Sequence, residues 1–138
     1  MKKRHEQKLA AAKDTKVDLL FIGDSITHSW ENGGKKVWQK FYTPRNAFNI
    51  GFSGDQTQHV LWRIDNGEMA GMKPKVAVIM IGTNNTGHKM QKAEETAAGI
   101  KAIIGRVHKL SPETKVLVLA VFPRGMQPDH KMRVRNTE

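Results

Sequence analysis

The stretch Val76-Ala77-Val78-Ile79-Met80-Ile81 contains no polar residue, and Gly82-Thr83-Asn84-Asn85 follows it directly. Apolar residues that do not alternate with polar ones read as a strand covered on both faces. A second unbroken run, Val116-Leu117-Val118-Leu119-Ala120-Val121, leads into Phe122-Pro123-Arg124-Gly125. Two further apolar segments lie upstream, Val17-Asp18-Leu19-Leu20-Phe21-Ile22 and the shorter Ala47-Phe48-Asn49-Ile50. They lead into Gly23-Asp24-Ser25-Ile26-Thr27 and Gly51-Phe52-Ser53-Gly54-Asp55. Four short, β-branched, doubly covered strands predict a parallel sheet sandwiched by helices, an α/β fold.

The intervening segments agree. Ala93, Ala97, Ile100, Ile104, Val107 and Leu110 recur at three- and four-residue steps, which predicts an amphipathic helix over Lys92 to Leu110, ended by Ser111-Pro112. Asp55 is read as the N-cap of a helix from Gln56 to Met69, with Val60, Leu61 and Ile64 as its apolar stripe. Lys3 to Lys13 is expected to be helical with a weak, mostly alanine apolar face. Val37-Trp38 and Phe41-Tyr42 predict a shorter helix before Pro44. The order is α-β-α-β-α-β-α-β with right-handed crossovers, in one domain over residues 1–138 without repeats or a linker.

The 138 residues suffice for one core without staples, and the absence of cysteine excludes disulfides, thiolate nucleophiles and Cys-ligated metal sites. The net charge of +10 invites a nucleic-acid reading, so its distribution matters. Residues 1–16 carry six basic and two acidic side chains, and residues 123–138 carry four and two. More than half of the excess is therefore terminal, and the aromatic residues are not interleaved with it. Solvated charged ends are the better reading, and no nucleic-acid partner is expected. No run approaches the roughly 20 apolar residues of a membrane-spanning helix. Met1-Lys2-Lys3-Arg4 is followed by His5-Glu6-Gln7-Lys8 rather than by an apolar segment, so no signal peptide is expected in the chain. The expectation is a soluble protein, with the native compartment unassigned.

Ligands of open parallel sheets bind outside the carboxyl ends of the strands, where the glycine-containing loops fall. The chemistry they permit is acyl transfer. Ser25 falls on a sharp strand-to-helix turn that exposes its hydroxyl and places its backbone N–H near a helix N-terminus. Gly54 can offer an unobstructed N–H and Asn84 a side-chain amide, so three loops can supply an oxyanion hole. Each piece has an ordinary rival: a Gly-Asp-Ser turn, a helix entry at Gly51 and Gly54, an Asx turn at Thr83-Asn84-Asn85. Their joint placement after three successive strands is the more specific signal. No Gly-x-Gly-x-x-Gly, no P-loop and no Gly-x-Ser-x-Gly elbow is present.

Gly23-Asp24-Ser25, Gly51-x-x-Gly54-Asp55 and Gly82-x-Asn84 resemble the first three blocks of the SGNH (GDSL) hydrolase family. Gly54 to Arg63, Asn66-Gly67-Glu68, Gly82 to Asn85 and Phe122 to Gly125 resemble the branch that holds the platelet-activating-factor acetylhydrolase catalytic subunits. The similarity runs from about Val17 to Gly125. It implies a three-layer, flavodoxin-like sandwich with a five-stranded parallel sheet, four strands of which lie in this chain. It implies Ser25 as nucleophile, with Gly54 and Asn84 completing the oxyanion hole and Asp24, Asp55 and Asn85 as supporting residues. It also implies hydrolysis of small acyl esters, often acetyl, of a lipid or carbohydrate, without metal or cofactor. Some family members dimerise, so a homodimer is an open expectation.

The family's fourth block, Asp-x-x-His, supplies the general base and its carboxylate. None of the six aspartates has a histidine three residues later. Asp24 with His28 and Asp55 with His59 are four apart, a spacing that suits helix-surface pairs. Asp129 and His130 are adjacent and point apart. His28, His59 and His88 are read as surface or supporting groups, and His5, His108 and His130 as solvated positions. Val116 to Val121 would be a poor edge strand, which predicts a covering fifth strand, with Lys131 to Glu138 opening a helix towards it. The expectation is the N-terminal two-thirds of an SGNH-type serine esterase. The alternatives are a catalytically silent interaction module on the same scaffold and, less favoured, a basic nucleic-acid binder.

Overall fold

In the computed structural model, which describes residues 2–138, each apolar run becomes a strand of one parallel sheet. The strands are Leu19–Gly23 (β1), Ala47–Gly51 (β2), Val76–Met80 (β3) and Lys115–Val118 (β4), in the order β2-β1-β3-β4. Gly23 lies level with Gly51 on one side and with Met80 on the other, so the first three strands end together at one edge. Leu20, Ile22, Ile50, Ala77 and Ile79 form the core of one face, closed by Val60 and Ile64, Ile103 and Val107. The last two belong to Ala93–Leu110 (α6), the amphipathic helix expected there, and its entry is held by the Lys92 N–H donating to the Glu95 carboxylate at 3.2 Å. On the opposite face an aromatic layer covers β1: Phe21 packs edge-on against Trp38 at 5.1 Å and Tyr42 at 5.2 Å. The result is the three-layer α/β/α arrangement expected. No described helix is long and apolar enough to cross a membrane.

Four details differ from expectation. The fourth run is strand only to Val118, and it is open towards its end on both faces: Leu117 is 52% exposed and Val118 42%. It is the edge strand, and the aromatic layer over β1 stops short of it. An apolar trough of about 360 Å³ remains between them, lined by Phe21, Tyr42, Val78, Met80, Leu119 and Phe122 among others. The helix expected to run to Met69 is α-helical only over Thr57–Arg63 (α4), then widens into a π-type turn over Ile64–Glu68, where Gly67 takes a left-handed φ of 91°. Its N-cap is Gln56, not Asp55. The Asn84 loop is itself a short helix, Thr83–Lys89 (α5). Lys2–Ala12 (α1), Ser25–His28 (α2), Lys35–Val37 (α3) and Lys131–Thr137 (α7) complete the described α-helices, and Trp38–Tyr42, where a short helix was expected, forms a π-helical turn.

Candidate active site

Ser25 is the first residue of α2, directly beyond β1. Asp24 caps that helix: its Oδ1 accepts the Ile26 N–H at 2.9 Å. Asp24 is buried, and burial pushes its carboxyl pKa up while the Ile26 hydrogen bond pulls it back. The turn is tight because α2 lies directly on the end of β2, where a Cβ on Gly51 would meet the His28 nitrogen at 2.5 Å. Ser25 is partly exposed, and among the described residues its hydroxyl has no hydrogen-bond partner; its carbonyl accepts the Ser29 hydroxyl at 2.7 Å.

The second loop is joined to the first by the Phe52 N–H, which donates to the Gly23 carbonyl at 3.0 Å, and by a 3.0 Å contact between His28 Nδ1 and the Ser53 hydroxyl. Gly54 sits at φ +83° with open space where a side chain would be, so its N–H lies on an unobstructed turn. The third loop is stitched to the second. Asn84 Nδ2 donates to the Asp55 carbonyl at 2.9 Å, and Gln56 Nε2 donates to the Asn84 carbonyl at 3.1 Å. Asn85 Oδ1 accepts the Thr57 N–H at 3.1 Å. Arg124, from the loop after β4, donates to the Thr83 carbonyl at 3.2 Å and faces Asn84 Oδ1 at 3.4 Å. Among the described residues, one hydrogen of Asn84 Nδ2 has an acceptor and the other has none.

Asp55 is fully buried and does not cap α4: its Oδ2 pairs with Arg63, and its Oδ1 has no partner among the described residues. Arg63 Nε also donates to Glu68 at 3.0 Å, and Glu68 meets His5 Nδ1 at 3.4 Å. Burial pushes the Asp55 and Glu68 carboxyls up, with Arg63 opposing in each case. His5, expected to be solvated, is 7% exposed, because α1 docks it against Glu68 and tilts its ring onto Trp62 at 5.5 Å.

Among the described residues no histidine is hydrogen-bonded to the Ser25 side chain. The Asp24–His28 and Asp55–His59 pairs suggested by spacing do not form: His28 faces Ser53, and His59 Nδ1 accepts the Gln56 N–H at 3.0 Å. Burial lowers the His28 pKa, with Arg4 adding to it. His88 is exposed on α5, His108 contacts the Thr114 carbonyl, and His130 caps α7 by accepting the Met132 N–H. Arg63, Glu68 and Arg124 fall in stretches that resemble the family branch, but those stretches give them no role, and His5 lies outside them. The available signal was spacing: Arg63 follows Asp55 by eight residues and precedes Glu68 by five.

Solved structures share this architecture. One, described as a platelet activating factor from Streptococcus pneumonia, superimposes with a TM-score of 0.76 at 24% identity, over 96% of this chain and 60% of the other. A GDSL-like lipase from Bacteroides thetaiotaomicron gives a TM-score of 0.68 at 21% identity, over 97% and 63%. At those identities the likeness is one of fold. Sequence carries further: platelet-activating factor acetylhydrolase IB subunit alpha1 of Rattus norvegicus is 40% identical over 134 residues, 97% of this chain and 55% of the relative. Subunit alpha2 of Homo sapiens is 39% identical over 135 residues, 98% and 56%. The chain thus spans about half the length of these curated relatives. Residues 21–138 match the GDSL-like Lipase/Acylhydrolase family. With most of its length inside that match, this chain belongs to the GDSL-like lipase/acylhydrolase family.

Proposed function

We propose that the chain carries the nucleophile and oxyanion hole of a serine esterase that cleaves small acyl esters of a lipid or carbohydrate. Ser25 Oγ bonds to the acyl carbon while its proton passes to a base. The negative charge that develops on the carbonyl oxygen is held by the Ser25 N–H, the Gly54 N–H and the free hydrogen of Asn84 Nδ2. The bond to the alcohol oxygen then breaks and the alcohol leaves with that proton. Water repeats the sequence on the acyl-serine and releases the acid. The observation that carries this reading is the stitching of three loops at one sheet edge, with Asn84 tied to Asp55 at 2.9 Å and Phe52 to Gly23 at 3.0 Å. No residue of the chain is assigned as the base, since no described histidine bonds to Ser25.

That last point favours a second reading, a silent scaffold of the same fold. A nitrophenyl acetate assay with added imidazole separates the two. Esterase chemistry predicts that the parent exceeds Ser25→Ala, and that the gap widens at least about tenfold as imidazole supplies the missing base. Equal rates in a folded pair at every imidazole concentration favour the silent scaffold.

A further inference from the structure

We infer that Arg63 is a positioning residue for the oxyanion loop, and that through Glu68 and His5 it ties the N-terminal helix α1 to that loop. The link to catalysis rests on the reading of Gly54 as an oxyanion donor; the mechanical coupling does not. Arg63 is 3% exposed, yet it bridges two carboxylates, Asp55 at 0% and Glu68 at 1%. A guanidinium is suited to this, because its planar fork can serve two acceptors at once. Its flat face lies 3.8 Å from the centroid of the Phe52 ring. It therefore grips the turn on both sides of Gly54, through the ring of Phe52 and the carboxylate of Asp55.

The grip continues into α1. His5 closes the far end of this series of polar contacts on Glu68 at 3.4 Å, and the neighbouring Arg4 donates to the Gly51 carbonyl at 2.9 and 3.1 Å. The Arg4 guanidinium lies 5.0 Å from the Phe52 centroid, so two guanidiniums flank that ring. Gly51 to Asp55 is thus held by α1, by α4 and, through the Asp55 carbonyl, by Asn84. A buried cation between two buried carboxylates is costly unless it fixes something, and what it adjoins is the turn whose N–H the chemistry needs.

Amide hydrogen exchange of the full chain tests this without requiring turnover. Arg63→Met is expected to speed exchange at residues 52–56 by at least about tenfold while β3 stays within about twofold of the parent. His5→Phe keeps the ring and removes the link to Glu68. It is expected to raise exchange in the same segment about threefold. Arg63→Lys keeps the charge but cannot bridge both carboxylates, and should fall between the parent and Arg63→Met. Unchanged exchange at 52–56 in folded Arg63→Met overturns the inference; if that variant does not fold, unchanged exchange in His5→Phe does so. Where esterolysis is measurable, loss of kcat at constant KM in His5→Phe supports it, and a rise in KM alone contradicts it. A parent with no esterolysis counts against the esterase reading and leaves the exchange result decisive for this one.

Discussion

Glycines 51 and 54 sit three residues apart and serve different ends, which makes them a useful contrast at the scale of single residues. A methyl group on Gly51 would press on the His28 nitrogen at 2.5 Å and on Thr27. Gly51→Ala is therefore expected to destabilise the fold by about 1–3 kcal/mol, measured by urea unfolding. A methyl group on Gly54 meets open space, and the left-handed φ of 83° costs it only about 1–2 kcal/mol. If Gly54 donates to the oxyanion, Gly54→Ala should reduce imidazole-assisted esterolysis by more than its stability loss explains. Asn84→Ala removes a proposed hole donor and the 2.9 Å bond to Asp55 together, and is expected to lower kcat by about 10²–10³. Placement of Ser25, Gly54 and Asn84 after strands was legible because each follows a short, mostly apolar run. The burial of His5 was not legible, since it depends on Glu68, 63 positions away, and on a helix whose own apolar face is weak.

Among the elements, α1 shows how a segment of low intrinsic promise is held. Arg4 forms a two-pronged contact with Glu31 at 2.8 and 3.0 Å, and Lys8 reaches the same carboxylate at 2.7 Å. Burial alone pushes the Glu31 carboxyl up, but the hydrogen bonds from Arg4 and Lys8 outweigh it and hold the pKa at about 2, below the ordinary 4.5. A folded-state pKa below the unfolded value gives stability that is full above about 4.5 and is lost as pH falls towards about 2. The group is partly solvated, so its contribution is under about 1 kcal/mol. Parent and Glu31→Gln should differ in urea midpoint at pH 6 and converge near pH 2; a constant gap contradicts the assignment. The amphipathic period of α6 was readable in sequence because a single stripe faces the core. The early end of α4 had a local signal that the apolar stripe masked: Asn66 and Gly67 leave helical geometry, Gly67 at a φ of 91°.

At the scale of the whole molecule, parallel topology follows from helices between strands, and the order β2-β1-β3-β4 puts the three glycine loops at one edge. The same order leaves β4 outermost, where an unbroken apolar run no longer means two covered faces. Leu119 and Phe122, the latter 52% exposed, border the trough beside Met80, and Leu117 on β4 is 52% exposed as well. Such an edge is a site of unwanted association, and Leu117→Lys is expected to reduce aggregation seen by light scattering with little change in stability. The +10 charge is carried largely at the termini and partly neutralised there, Arg4 and Lys8 by Glu31. Ser25 is the proposed reactive group of the folded chain. Treatment with a fluorophosphonate, followed by intact mass and peptide mapping, tests it directly. One adduct on Ser25, accelerated by imidazole and absent in Ser25→Ala, is the result predicted; no adduct, or equal adducts in parent and variant, would contradict it.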